Sequence, residues 1–256
     1  MGMLDGRKGI ILGVANDKSI AWSIAQALHA EGAELAFTYA GEILEKRVKP
    51  LAESLGSKYI IPCDVTKDDD IKNVFEFLKD GFGHLDFLVH SIAFAKREEL
   101  KGKFVDTSRD GYLLAMEISA YSLIAVAREA NPLMKGRNGS IITLTYYGSQ
   151  KVIPNYNVMG VAKAALEANV MYLAHDLGPD GIRINALSAG PLKTLASAGI
   201  TGFKEMLRHA KEKAPLGRNT TPEEVGSSAL YLISDLSKGV TGHTLYVDCG
   251  CHVIGA

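Results

Sequence analysis

Between Gly9 and Tyr39 the chain reads GIILGVANDKSIAWSIAQALHAEGAELAFTY. An apolar run, GIILGVA (9–15), leads into a turn of small and polar residues. SIAWSIAQALHAEG (19–32) then takes helical spacing, with Ser19 a candidate N-cap and Gly32 a candidate stop. ELAFTY (34–39) is apolar again. These short runs lack the alternation of a strand with one wet face, so both faces are expected to be buried, as in a parallel sheet. Strand, helix and second buried strand make one βαβ unit.

The same order continues outward. A charged helix is expected from Glu42 to about Leu55, a strand at KYIIPCDV (58–65) and a helix from Asp68 to Asp80. LDFLVHSIA (85–93), GSIITLTYY (139–147), IRINALSAG (182–190) and TLYVD (244–248) read as further strands. Helices fall at roughly Ser108–Ala130, about Asn155–Leu177 and near Glu223–Ser234. The pattern predicts one α/β domain over 1–256, a Rossmann-like doubly wound parallel sheet with helices on both faces.

Composition agrees with that reading and excludes others. The 256 residues are 47% hydrophobic, enough for one large core. A formal net charge of −1 gives no reason to expect nucleic acid or an anionic membrane as partner. No apolar run approaches the roughly 18–20 residues of a spanning helix. The N-terminal run is too short for a signal peptide, and Gly6 stands where myristoylation wants Ser or Thr. Cys63, Cys249 and Cys251 suit a reducing, cytoplasmic compartment. DCGCH (248–252) sets Cys249 and Cys251 beside His252 without a second ligand pair, so no metal site is expected.

In such sheets ligands bind at the carboxyl ends of the strands, where strand order reverses. Gly13 supplies a tight turn after the first strand. Ser19, Ile20 and Ala21 open the helix with little bulk, and its N-terminus suits a pyrophosphate. The usual three-glycine spacing is absent, so a small-residue turn without a ligand is the alternative. Asp64 and Val65, ending the third strand, offer a carboxylate and an apolar neighbour to an adenine. Ser91, Ile92 and Ala93 end the fourth with small groups. A 2′-phosphate calls for Arg or Lys just after the second strand, whereas Ala40, Gly41 and Glu42 follow Tyr39 and Lys46 and Arg47 come one turn later. NADH rather than NADPH is the expectation.

Tyr156 and Lys163 stand seven residues apart on a predicted helix, close to two turns, so both side chains lie on one face. Lys163 then suits the nicotinamide ribose hydroxyls, and its ammonium favours phenolate character in Tyr156. A tyrosine and a lysine serving only packing and solubility fit the same spacing.

The Tyr-x-x-x-Lys pair common among short-chain dehydrogenases/reductases is missing, because Met159 stands four residues before Lys163. Tyr146, Tyr156 and Lys163 instead follow a Tyr-(nine)-Tyr-(six)-Lys arrangement. Together with GVANDKSIA (13–21), CDV (63–65), HSIAFA (90–95) and AGPLKTLA (189–196), this arrangement resembles the divergent enoyl-acyl carrier protein reductase branch of that superfamily, the NADH-dependent reductases of bacterial type II fatty acid synthesis. The likeness spans nearly the whole chain.

The resemblance implies reduction of a trans-2-enoyl group on acyl carrier protein to the saturated acyl form by hydride from NADH. Tyr156 would stabilise the thioester oxygen, and Lys163 would complete the catalytic pair. Tyr146 would shape the acyl pocket or help deliver a proton, and Tyr147 would pack elsewhere. It further implies that Leu192, Lys193, Thr194, Leu195 and Ala196 contact the cofactor, with Thr194 as a hydroxyl donor. Ala95 would touch the substrate together with Tyr146 and Tyr156. A homotetramer is implied as well, and the small residues Gly160, Ala162, Ala164, Ala165 and Ala168 suit a close helix interface.

The stretch at about 190–210, punctuated by Gly190, Pro191, Gly199 and Gly202 with Ala196 and Ala198 between, reads as a substrate lid. Lys204, Arg208 and Lys211 make a basic stripe, either a docking face for acidic acyl carrier protein or a solvated face. Two further readings keep the fold: a 3-oxoacyl or other ketone reductase, against which Met159 argues, and a non-catalytic nucleotide-binding sensor, which would need neither Tyr156 nor Lys163.

Overall fold

Ile10, Ile11 and Leu12 are all fully buried, although they are consecutive. A strand covered on both sides sends alternate residues into different cores. Ile10 and Leu12 enter one core with Leu88, Ile141 and Ile184. Ile11 enters the other with Phe87, Val89, Ile142 and Leu187. Each such side chain stabilises the fold by ~1.5–3 kcal/mol on leaving water.

The computed structural model describes residues 2–195, 197 and 202–255. Among these residues, seven strands form one sheet: β1 (Lys8–Leu12), β2 (Glu34–Tyr39), β3 (Tyr59–Pro62), β4 (Phe87–His90), β5 (Ser140–Thr145), β6 (Arg183–Ala189) and β7 (Thr244–Val247). Their order is 3-2-1-4-5-6-7 and every neighbouring pair is parallel. This is the doubly wound sheet expected from the sequence. The chain moves outward one way from β1 to β3 and the other way from β4 to β7, so the reversal lies between β1 and β4.

The helices are α1 (Ile20–Ala30), α2 (Glu42–Ser54), α3 (Asp68–Phe82), α4 (Arg109–Met116), α5 (Ser122–Met134), α6 (Asn157–Leu177), α7 (Phe203–Lys213) and α8 (Pro222–Ile233). Buried residues of α1, α2 and α8 cover one face of the sheet, and those of α3, α5 and α6 the other. Helix α7 buries none of its residues.

Two elements depart from the sequence reading. The apolar runs outlast the strands, most clearly at 85–93, because the chain leaves the sheet after His90 and its next residues line the carboxyl end instead. The long helix expected from Ser108 is α4 and α5 joined by a π-helical segment, Glu117–Tyr121. Ser108 caps it as a helix-start serine should, accepting from Gly111 N–H at 3.0 Å. Taken as one run, Arg109–Met134 is 26 residues long with a hydropathy of 1.2, long and apolar enough to cross a membrane where no such run was expected. Half of its apolar window is buried inside the fold, and α5 as a whole has eight buried residues.

Candidate active site

The strands deliver their following loops to one edge of the sheet, and the reversal between β1 and β4 opens that edge. Gly13, the first residue after β1, has φ +99°, and a Cβ there would stand 2.0 Å from the carbonyl oxygen of Ser91. Only glycine lets the exits of β1 and β4 lie this close. Ser91 N–H donates to Leu12 O at 3.0 Å, locking them together.

Ser19 holds the turn that follows, in a way the sequence did not suggest. It stands at the N-cap position of α1 but makes no capping bond into the helix. Its Oγ accepts from Ala15 N–H at 3.2 Å and Asn16 N–H at 3.3 Å, and it donates to Asn16 O. The hydroxyl therefore folds residues 15–19 back on themselves. The first N–H groups of α1, at Ile20 and Ala21, begin a helix and have no earlier turn to bond.

At the end of β2, Ala40, Gly41 and Glu42 are exposed. After β3, Asp64 accepts from Thr66 N–H at 3.1 Å and Thr66 Oγ1 at 2.8 Å. These two bonds, outweighing partial burial, hold its carboxyl below the usual range. One of its oxygens is therefore engaged within the chain, and Val65 beside it is buried. After β4, Ile92 packs on the core that contains α5. Its neighbour Phe94 is 48% exposed at the edge. Gly13, the start of α1, Asp64, Val65 and Ile92 thus follow strands β1, β3 and β4 at one edge of the sheet. They offer a small-residue turn, helix N–H groups and apolar residues, the features a dinucleotide site calls for.

Tyr146 follows β5 and Tyr156 precedes α6. Their rings meet edge to face, with centroids 5.1 Å apart and planes at 76°. Tyr156 sits in a small apolar cluster with Met159 and Ala162, against which Ala95, Leu100, Met116, Tyr146 and Ile153 pack. The three residues expected at the substrate, Ala95, Tyr146 and Tyr156, are thereby brought together. Gly148 permits this, since a Cβ there would stand 2.6 Å from the ring of Tyr156. Tyr147 points away and meets Tyr246 at 6.5 Å.

Lys163 is only 5% exposed, and its Nζ donates to Leu144 O at 2.6 Å. Burial pulls its ammonium down to about 8, while Glu167 works in the opposite direction. The expected phenolate character of Tyr156 is not found. Burial pushes its phenol up, with Tyr146 and Glu167 adding to the effect. Lys163 spends a hydrogen bond on a carbonyl and does not offset the lost hydration. Tyr156 is accordingly a neutral O–H donor at ordinary pH. Burial also pushes the Tyr146 phenol up, to about 12. Its hydroxyl lies 3.5 Å from Met206 Sδ on α7, so the region expected as a lid reaches the tyrosine pair.

On that region, Leu192 packs on the core, whereas Lys193 and Leu195 are exposed. Thr194 N–H donates to Ser197 Oγ at 2.8 Å, and Thr194 Oγ1 accepts from Ser197 N–H at 3.1 Å. Ala196, with Ala198 and Gly199, lies outside the described residues. The basic stripe is not uniformly basic, because Arg208 is held by Glu205 and pairs with Glu212 at 2.9 Å. Among the described residues Lys204 and Lys211 have no ion-pair partner. Asp248 accepts from His252 N–H at 2.8 Å and lies 2.9 Å from its Nδ1, which ties up the C-terminal His.

Three polar residues beside the pair were not singled out from sequence. His90 is fully buried, with Nδ1 2.9 Å from Thr143 Oγ1 and Nε2 2.9 Å from Ser122 Oγ. Ser122 donates its own proton to Ile118 O at 2.6 Å, which assigns the His90 proton to Nε2. Ser119, on the π segment, accepts from Phe94 N–H at 2.9 Å and donates to Phe94 O at 3.1 Å. The bulge thus turns a hydroxyl onto the loop that carries Ala95. Glu167 accepts from Thr145 Oγ1 and Ser149 Oγ, each at 2.7 Å. Its place four residues after Lys163 was the available signal.

Comparison with known proteins bears on this geometry. A family model described as Enoyl-(Acyl carrier protein) reductase matches residues 13–252. The Enoyl-[acyl-carrier-protein] reductase [NADH] of Aquifex aeolicus is 54% identical over 255 residues, covering 100% of this chain and 94% of that protein. The protein of the same name from Bacillus cereus is 54% identical over 257 residues, covering all of both. The crystal structure of the Aquifex aeolicus reductase superposes with a TM-score of 0.97, covering 100% of both chains. The Anaplasma phagocytophilum reductase, solved in complex with NAD, superposes with a TM-score of 0.94 at 53% identity, covering 100% of this chain and 95% of that one.

Proposed function

The chain belongs to the enoyl-(acyl carrier protein) reductase family, and we propose that Tyr156, Tyr146 and Lys163 perform its chemistry. The reaction is reduction of a trans-2-enoyl group on acyl carrier protein to the saturated acyl form, with NADH as reductant, in fatty acid synthesis. The observation that carries the residue assignment is the meeting of Tyr146 and Tyr156 over the cluster that holds Ala95.

Bound NADH supplies the hydride that reduces C3 of the enoyl chain. Tyr156, buried and neutral, donates a hydrogen bond to the thioester oxygen as negative charge collects there. An apolar surround makes that bond worth more than it would be in water. Reduction of a carbon–carbon double bond leaves the proton to be placed on C2, so no serine is needed to drive protonation of the oxygen. Tyr146 packs edge-on to Tyr156 and, with Ala95, closes the acyl side. Lys163 is the group suited to the ribose hydroxyls. Gly13, Ser19 and Ile20 at the first turn, Ala40, Asp64 and Val65 at the adenosine end, and Ile92 with Leu192, Lys193, Thr194, Leu195 and Ala196 make up the proposed cofactor-binding set. The contact of Met206 with Tyr146 supports α7 and the residues before it as the lid.

We further infer a homotetramer in the cytoplasm, with no membrane or nucleic-acid partner. An open groove of about 600 Å³ between the π segment and α6 is lined by Leu113, Met116, Ala120, Tyr121 and Ile124. Leu113 is 58% and Tyr121 42% exposed, as expected of apolar residues that a second subunit covers.

The test is oxidation of NADH by the purified protein with a 2-enoyl thioester, comparing wild type with Tyr156→Phe. Turnover that falls by roughly a hundredfold or more in the variant supports the assignment. Undiminished turnover in the variant overturns it.

A further inference from the structure

One carboxylate oxygen holds both ends of the loop that carries Tyr146. Thr145 immediately precedes that tyrosine and Ser149 follows it three residues later, and both hydroxyls donate to Glu167 Oε1 at 2.7 Å. Glu167 belongs to α6. It lies eleven residues after Tyr156 and four after Lys163, close to three turns and one turn, so all three fall on one stripe of the helix. The loop bearing one tyrosine is thus clasped to the helix that begins at the other. The edge-to-face contact at 5.1 Å joins the same loop and helix.

Among the described residues the same carboxylate acts on Lys163 against the effect of burial. The groups packed about that lysine are Leu144 O from β5, which accepts from it, His90 from β4, held neutral by burial, and Tyr156 on its own stripe, also neutral. From β7, Tyr246 faces Glu167 and is likewise pushed toward its neutral form by burial and by that charge.

We propose that Glu167 is a positioning residue for the reduction: its Oε1 sets Tyr146 against Tyr156, and its charge, one helical turn from Lys163 on α6, faces that buried lysine. This rests on the functional reading above and deepens it by naming the group that organises the site from outside the reacting atoms.

The two roles separate by mutation of the full-length protein. Glu167→Gln keeps an oxygen for Thr145 and Ser149 but removes the charge. Thr145→Val with Ser149→Ala removes the two donors but leaves the charge. In the Gln variant the high-pH fall of kcat shifts to lower pH by about one unit, because a buried ammonium loses its compensating charge. In the double variant kcat falls roughly tenfold with that limb unmoved and KM for NADH little changed, as a displaced positioning group predicts. A measurement independent of turnover is the 13C titration of the Lys163 side chain in cofactor-free protein, assigned by its absence from Lys163→Met. The Lys163 midpoint drops in Glu167→Gln and stays in the double variant. An unmoved midpoint in Glu167→Gln overturns the charge role, and an unchanged kcat in the double variant overturns the clasp. Absence of turnover in wild type counts against the functional reading instead, and the Lys163 titration still decides on Glu167.

Discussion

Tyr146 and Tyr156 touch edge to face at 5.1 Å, although they come from different elements of the fold. Their hydroxyls have different surroundings: that of Tyr146 meets Met206, whereas Tyr156 is buried among apolar groups that push its phenol up. The pair therefore divides labour. Tyr156→Phe keeps the packing and removes the donor, so kcat falls by about 10²–10³ while KM for NADH and the melting temperature stay close to wild type. Tyr146→Phe removes only a weak contact with sulfur, and its kcat falls less than tenfold by the modest worth of such a bond. Steady-state kinetics of both variants check this, and equal losses would contradict it.

Gly148 is a position where packing sets the place of the Tyr156 ring. Gly148→Ala puts a Cβ 2.6 Å from the Tyr156 ring, so the ring or the turn must move. Overpacking of this kind costs about 1–3 kcal/mol. The expected result is a lower melting temperature and a kcat reduced more than KM for NADH. Calorimetry with steady-state kinetics reads both.

Lys163 makes activity and stability respond to pH in opposite directions. Its ammonium is pulled from the ordinary 10.5 to about 8 by burial. Activity that needs the charge is lost as pH rises through about 8. For stability, the unfolded chain binds the proton more tightly than the folded one. Burying the charge therefore costs most below pH 8, and the cost is relieved as pH rises from 8 toward 10.5. Lys163→Met removes this rise and gains stability at neutral pH in cofactor-free protein, and with cofactor and substrate present it loses turnover at every pH. Denaturant titrations of wild type and variant between those pH values measure the difference.

Much of this was legible from the residues. Consecutive buried apolar residues such as Ile10, Ile11 and Leu12 mark a strand covered on both faces, and their alternation with helices specifies the sheet. The spacing from Tyr156 to Lys163 marks the helix face proposed to carry the chemistry. Less legible was whatever depends on a bond rather than a period. The π segment has the same apolar spacing as the helices beside it, and what distinguishes it is that Ser119 bonds Phe94, while Ser122 just after it receives His90. Ser19 has the residue type of an N-cap, yet its hydroxyl closes the turn before the helix. Glu167 looks like half of an exposed i,i+4 pair until the fold places Thr145 and Ser149 on it. Lys163 was expected to shift Tyr156 electrostatically, but burial dominates the phenol and pushes it up.

The surface of α7 yields the last prediction. Arg208 is compensated by Glu205 and Glu212, which leaves Lys204 and Lys211 as the charges of that stripe available to an acidic carrier. Exposed ion pairs contribute little to stability, so reversing these two lysines leaves the melting temperature nearly unchanged. It does remove attraction for a negatively charged partner and adds repulsion, which acts on encounter more than on chemistry. Lys204→Glu with Lys211→Glu therefore raises KM several-fold for the enoyl substrate on acyl carrier protein, in proportion to the steering such charges supply. For the same acyl chain on a small thioester KM stays put, because that substrate reaches Tyr156 without the carrier. Arg208→Glu alone has a weaker effect, since its charge is already answered within the helix. Raising the salt concentration should erase the difference between wild type and the double variant by screening exposed charges. A KM for the carrier-bound substrate that is the same in the double variant as in wild type at low salt would place the carrier on another face.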